Sequence, residues 1–255
     1  MNCAVGGRKL SRRTVATGTA AVLASAVLVA LPEPARAATE DRTLATWNVQ
    51  GSAARWAAVG NLAVKRNVVA LQEVSARPPA NVGREQKLGP NLSGWKWNVG
   101  TNSRPHYRHL FILRHSSKNL GLVTDWAPAS GSVVEIPGKY RPLLCVRDNG
   151  NAALLCSLHA SAKGGGDAAT LVKYAAAYAA QNKARSWAVL GDYNRAPAKL
   201  QQDPALPSAA HLYAPNRATQ QSGGILDYLV SNVVTTKWKA KVLVNKGSDH
   251  WAVQW

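Results

Sequence analysis

Short apolar runs with no polar alternation, each ending abruptly in a polar side chain, constrain this chain more than any other feature. Val68-Val69-Ala70-Leu71 runs into Gln72-Glu73, and Trp187-Ala188-Val189-Leu190 runs into Gly191-Asp192-Tyr193-Asn194. A strand without alternation is covered on both faces, so it belongs in the middle of a layered structure. Asp192 and Asn194, two residues apart, put a carboxylate and a carboxamide on one side of a strand end. Such a pair can hold a hard metal ion and a phosphate oxygen together.

Leu44–Val49 reads as a first strand, followed by a helix over about 53–65, and residues 68–73 as a second strand. Residues 76–106 are rich in Pro, Gly, Asn and basic groups, and read as a long surface excursion around one strand. Further strands are expected at 110–113, 133–136, 187–190 and 225–230, with a last one running to Asp249-His250-Trp251. Asp167 can cap a helix running to about Lys183, with Leu171, Val172, Ala175 and Tyr178 at helical spacing toward the core. No repeat and no interdomain linker is visible, so strands and two good helices point to one α/β layered domain.

Residues 1–37 read as a targeting segment: a basic stretch (Arg8, Lys9, Arg12, Arg13), an Ala/Val-rich run over 14–31, and Ala35-Arg36-Ala37 as a cleavage site. Arg12-Arg13 is compatible with twin-arginine export, and Sec export is the alternative. Residues 38–255 would then form a secreted domain with no membrane span after cleavage. The whole chain carries +18, and losing five basic and one acidic residue with the leader leaves about +14. That charge favours polyanions, nucleic acid or anionic lipid headgroups, over neutral or cationic partners. Cys145 and Cys156 flank the turn Asp148-Asn149-Gly150-Asn151 between two apolar strands. A disulfide and two buried thiols are both open readings.

Asn48, Glu73, His159, the Asp192/Asn194 pair, Asp227 and Asp249-His250 all sit at ends of apolar strands and would converge on one rim of a sheet. Glu73 and Asp249 offer hard oxygens suited to Mg²⁺ or Ca²⁺, and no Cys/His cluster has zinc spacing. A histidine paired with a carboxylate can deprotonate water while the other stabilises the leaving group. Asn48 and Asn194 can donate to phosphate oxygens without adding charge.

Trp47-Asn48-Val49-Gln50-Gly51, Leu71-Gln72-Glu73, Ser157-Leu158-His159-Ala160, Gly191-Asp192-Tyr193-Asn194, Leu226-Asp227-Tyr228 and Ser248-Asp249-His250 resemble, in order, the motifs of the endonuclease/exonuclease/phosphatase superfamily, the group of DNase I. Residues 164–168, 192–197 and 218–224 are similar to the catalytic branch of the cytolethal distending toxins. The resemblance implies a four-layer αββα sandwich and a divalent-metal-dependent nuclease, with Mg²⁺ as the expected ion and Ca²⁺ or Mn²⁺ as alternatives. It implies Glu73 as metal ligand, assisted by Asn48 and completed by Asp249. His159 and His250 become the catalytic histidines, Asp227 orients His250, and Asp192 and Asn194 position water and bind phosphate. Arg141 matches a phosphate-contacting arginine, and Arg108 is aligned as a second.

In DNase I a carboxylate on the strand near residue 107 supports the first histidine. Here Tyr107 is read in its place, which leaves His159 without an acidic partner and shifts water activation toward Asp192. DNA is the expected substrate, with toxin delivery subunits as further partners. Phosphoinositide headgroups are the alternative, cleaved by a phosphatase on the same scaffold. A weakly catalytic, basic binding protein is the third reading.

Overall fold

The computed structural model describes Met1 and residues 39–255, apart from 117, 151 and 245. The leader reading at residues 1–37 falls outside the described residues, save for Met1. The chain first lays down β1 (Leu44–Asn48), β2 (Val68–Gln72), β3 (Gln86–Lys87), β4 (Leu92–Asn98), β5 (Tyr107–Leu113) and β6 (Leu120–Thr124). It then builds β7 (Val133–Ile136), β8 (Leu143–Asp148), β9 (Ala153–His159), β10 (Ser186–Asp192), β11 (His211–Tyr213) and β12 (Asp227–Ser231), and ends with β13 (Lys241–Val242) and β14 (Val253–Gln254). One sheet runs β13-β14-β1-β2-β6-β5-β4-β3 and the other β11-β12-β10-β9-β8-β7. The pairs β1/β2 and β9/β10 are parallel, and these lie inside each sheet.

Side-chain parity explains the layering. Along β2, Val68 and Ala70 pack into the core between the sheets, whereas Val69 and Leu71 pack under α1 (Trp56–Ala63), against Trp56, Val59 and Leu62. Both faces are covered, as the unbroken apolar run requires. On the far side α2 (Ala168–Gln181) buries Leu171, Val172 and Ala175 against β9 and β10. The result is the αββα sandwich that the motifs imply. Each fully buried Leu in these rows contributes about 1.5–3 kcal/mol.

Polar members of the rows between the sheets set their register. Ser157 Oγ donates to Leu71 O (2.9 Å) and Gln72 Nε2 donates to Ser157 Oγ (3.1 Å). Thr46 Oγ1 donates to Gln72 Oε1 (3.2 Å). All three side chains are buried, so a sliding of one sheet over the other would strand polar groups at about 1–3 kcal/mol each.

Several local readings are corrected. Residues 76–106 are more than a surface excursion: Trp95 and Trp97 on β4 are buried, and Trp97 meets Trp56 edge-on at 5.7 Å. Asp167 stands at the N-cap of α2, but its Oδ1 accepts from Ser161 N (2.8 Å) instead of a helix amide. Of the two open readings for Cys145 and Cys156, the disulfide holds: they pair directly across β8 and β9 and are bonded. The last strand follows Asp249-His250 instead of leading into it. β14 is antiparallel to β1, so its start, not its end, lies at the rim.

Gly191 allows β10 to approach β9 beside the two catalytic-motif termini. A Cβ there would stand 1.9 Å from Leu158 O. Gly191→Ala should therefore cost about 3 kcal/mol or more in urea unfolding, and a cost below about 1 kcal/mol would show that the strands can separate freely.

Candidate active site

The last members of the rows between the sheets are the polar residues that the sequence singles out. Leu44-Thr46-Asn48 ends the inner row of β1, Leu155-Ser157-His159 that of β9, and Ala188-Leu190-Asp192 that of β10. Asp192 faces His159 across the β9/β10 ladder and Asp227 across β10/β12. Asp227 opens its strand because β12 is antiparallel to β10. The polar groups thus share a rim because of strand direction, whichever end of the strand they occupy.

Asn48, Glu73, Lys118, Arg141, His159, Asp192, Asn194, Asp249 and His250 line one cavity of about 380 Å³, together with Gln220 and Ser222. Asp192 Oδ2 is its centre. It accepts from Asn48 Nδ2 at 3.1 Å and is approached by His159 Nε2 at 3.4 Å and His250 Nε2 at 3.8 Å. The other oxygen, Oδ1, accepts from Asn194 N at 2.9 Å, an Asx turn made with Asn194 at a left-handed φ of 48°. Asn194 Nδ2 and Arg141 Nη1 both donate to Ala160 O, at 3.0 and 2.9 Å, which ties the two expected phosphate contacts to one backbone anchor.

His250 and Asp227 form a tight pair, Nδ1 donating to Oδ2 at 2.8 Å, with Asp227 fully buried. Thr219 Oγ1 accepts the Leu226 and Asp227 amides and anchors this strand start. The Trp47 indole donates to His250 O at 3.1 Å, so the histidine is held from both sides.

The electrostatics separate the two histidines. For His250, burial disfavours the charge, but the hydrogen bond and charge of Asp227, then Asp192 and Asp249, outweigh it and lift the pKa to about 9. His159 is pushed down to about 2, chiefly by burial and then by Arg141, Lys118 and His250. Its Nδ1 is buried with no hydrogen-bond partner. At neutral pH, then, His250 is an imidazolium and His159 a neutral imidazole. Asp192 is raised to about 7, first by burial and then by Asp227, against the charge of His250 and the hydrogen bonds from Asn194 N and Asn48. A carboxylate poised there matches what a general base at neutral pH needs.

Two expected residues lie elsewhere. Arg108 on β5 is buried at the C-terminal end of α1, where Nε and Nη2 donate to Ala63 O (2.8 Å) and Val64 O (2.9 Å). It caps a helix and does not line the cavity. Tyr107 begins β5, is half exposed, and lies under the Lys96 ammonium. The end of β5 that pairs with the start of β6, next to β2's terminus, is Leu113, so Tyr107 sits away from the rim. It cannot stand where a carboxylate would support His159. The acids near His159 are Asp192 and Glu73, the latter 3.7 Å from Nε2.

Lys118 is a cavity residue that the sequence pattern did not reveal. It follows the β5–β6 turn and places Nζ 2.6 Å from Glu73 Oε2. Its signal was its place one turn from a rim strand, visible only once β6 is known to pair with β2.

The donor set suits a hard divalent ion. Glu73 is held in a left-handed backbone (φ 52°) that turns its carboxylate toward Asn48 Nδ2, 3.4 Å from Oε1. Among the described residues the three metal-capable side chains with ligand atoms within 4.8 Å of one another are Asp192, Asp227 and His250, which could hold an ion. The Asp227–His250 hydrogen bond already engages two of them, whereas Glu73 is partly open to the cavity. Asp249 lines the cavity but does not join that group of three. A larger cleft of about 490 Å³ beside α1 has no acid or histidine in its walls.

Carboxylates, amides, an imidazolium and two cations at the rim of two stacked sheets define a hydrolase for phosphate esters. The chain belongs to the endonuclease/exonuclease/phosphatase family, whose sequence profile matches residues 45–250. It is 29% identical over 242 residues to a Salmonella typhi homolog of the cytolethal distending toxin's B-type subunit, covering 84% of this chain and 88% of that protein. It is 31% identical over 229 residues to the corresponding B-type toxin subunit of Escherichia coli, covering 80% and 84%. Among solved structures, that of the Haemophilus ducreyi cytolethal distending toxin is similar at a TM-score of 0.69 and 26% identity, covering 84% of this chain and 97% of that one. The chain is thus a DNase I-like hydrolytic phosphodiesterase.

Two outcomes follow for this site. In an NMR titration of the metal-free protein, His250 should hold its proton up to about pH 9 while His159 stays neutral throughout. Asp227→Asn removes the main raising contribution, so the His250 midpoint should fall; an unmoved midpoint contradicts the assignment. Arg108→Met should lower stability by about 1–3 kcal/mol and leave kcat/KM on a phosphodiester intact, whereas Arg141→Met should do the reverse.

Proposed function

We propose that this chain is an exported, Mg²⁺-dependent DNA endonuclease that works as the catalytic component of a toxin of the distending type. The observation that carries the reading is Asp192 Oδ2, within 3.1–3.8 Å of Asn48, His159 and His250 and raised to about neutrality. Asp192 takes a proton from water as the water oxygen bonds to phosphorus and the ester P–O bond opposite it breaks, the departing alkoxide being protonated by solvent. The imidazolium of His250, held by Asp227, donates to a phosphoryl oxygen and offsets the charge that builds there. Neutral His159 offers a hydrogen bond to the same group, and Asn194 and Arg141 orient it.

Glu73, with Asn48 beside it and Asp249 at the cavity wall, would hold the divalent ion. When bound, Mg²⁺ polarises the phosphoryl group and neutralises the leaving oxygen, and Ca²⁺ or Mn²⁺ share its oxygen preference. The net charge of about +14 on residues 38–255 supports salt-sensitive, sequence-independent contacts to a DNA backbone. The leader-like residues 1–37 support export, and among the described residues no helix is long and apolar enough to cross a membrane. The likeness to the toxin relatives supports delivery by partner subunits.

Purified protein at low salt with Mg²⁺ should nick supercoiled plasmid. Asp192→Asn should slow nicking by about 10²-fold or more. Absence of nicking alongside phosphate release from a phosphoinositide would move the substrate to lipid headgroups, and wild-type nicking by Asp192→Asn would remove the proposed base.

A further inference from the structure

The Lys118–Glu73 pair is unlike the other ion pairs of the cavity. Glu73 is mostly covered, with a side-chain exposure of 15%, and its backbone conformation fixes where the carboxylate points. Lys118 is 39% exposed and ends a flexible four-carbon stem. One partner is therefore immobile and the other free to leave. Glu73 Oε1 faces Asn48 and His159, so Oε2 is the oxygen that remains, and the ammonium sits on it at 2.6 Å.

An ammonium on that oxygen and a divalent ion on the same carboxylate repel each other at short range. Lys118 and Arg141 are also the lysine and arginine that line the cavity. Released from Glu73, the Lys118 ammonium remains within the same walls, where a phosphate dianion or diester would be its natural counter-ion. We propose that Lys118 is a built-in competitor for the divalent ion at Glu73 and becomes a phosphate contact once displaced, so that metal and phosphate bind cooperatively. This rests on Glu73 being the metal carboxylate. It assigns Lys118 two alternating partners and makes metal loading weak until a phosphate group arrives. By linkage the coupling is reciprocal: phosphate tightens the metal by the factor that metal tightens phosphate.

The test measures Mn²⁺ binding by calorimetry or by the free-Mn²⁺ EPR signal on the intact protein, with and without inorganic phosphate. Lys118→Met should bind Mn²⁺ about two- to fivefold more tightly than the native protein in the absence of phosphate, the range for a partly exposed ion pair. The same variant should show less tightening by phosphate than the native protein, because the share that passes through displacement of Lys118 is gone. Lys118→Arg, which keeps the charge, should stay near the native affinity. Unchanged or weaker Mn²⁺ binding by Lys118→Met, or phosphate coupling undiminished in it, overturns the proposal. Glu73→Gln separates the two levels: if it leaves Mn²⁺ affinity untouched, the ion does not bind Glu73, and the underlying metal assignment fails first.

Discussion

Everything at this rim depends on the hydrogen bond from Asn48 Nδ2 to Asp192 Oδ2, which joins one sheet to the other. Asn48 ends the inner row of β1 and Asp192 that of β10, so the bond exists only if the sheets stack in one register. The buried Thr46–Gln72–Ser157 chain behind it enforces that register. Because these groups lie away from water, misalignment leaves them unpaired, and the penalty keeps the two halves of the site aligned.

The same burial that steadies the site sets its chemistry. Asp192 is raised toward neutrality because it is deep and near Asp227, and His250 is raised because Asp227 outweighs its burial. His159, also deep and surrounded by positive charge, goes the other way. Two histidines of one rim thus differ in protonation, one charged and one neutral, and the base is a carboxylate. The left-handed backbones at Glu73 and Asn194 lie next to this chemistry, as strained positions often do when a side chain must be aimed.

Much of this was legible in the sequence because apolar runs mark buried strands, and a polar residue ending such a run has nowhere to go but a rim. That logic found Asn48, His159 and Asp192 directly. It does not reveal strand direction. Tyr107 and Arg108 were set at the site by the resemblance to DNase I and the toxin branch, yet β5 starts away from the rim, and Arg108 caps α1 instead. Asp249-His250 was read as a strand's end and proved to precede one. Lys118 escaped notice because a lysine in a polar turn has no pattern of its own; only the pairing of β6 with β2 brings it to Glu73. Trp95 and Trp97 were hidden by the loop-like composition around them, although both are buried on β4.

The two sheets contribute to one catalytic unit through Asn48 and Asp192. A double-mutant cycle on kcat/KM for phosphodiester cleavage, using Asn48→Ala, Asp192→Asn and the double variant, tests this most directly. Strong non-additivity is the expected result, with the double variant barely slower than Asp192→Asn alone. Losses that simply multiply would mean that the two residues act independently, and that the bond between the sheets does not carry the site.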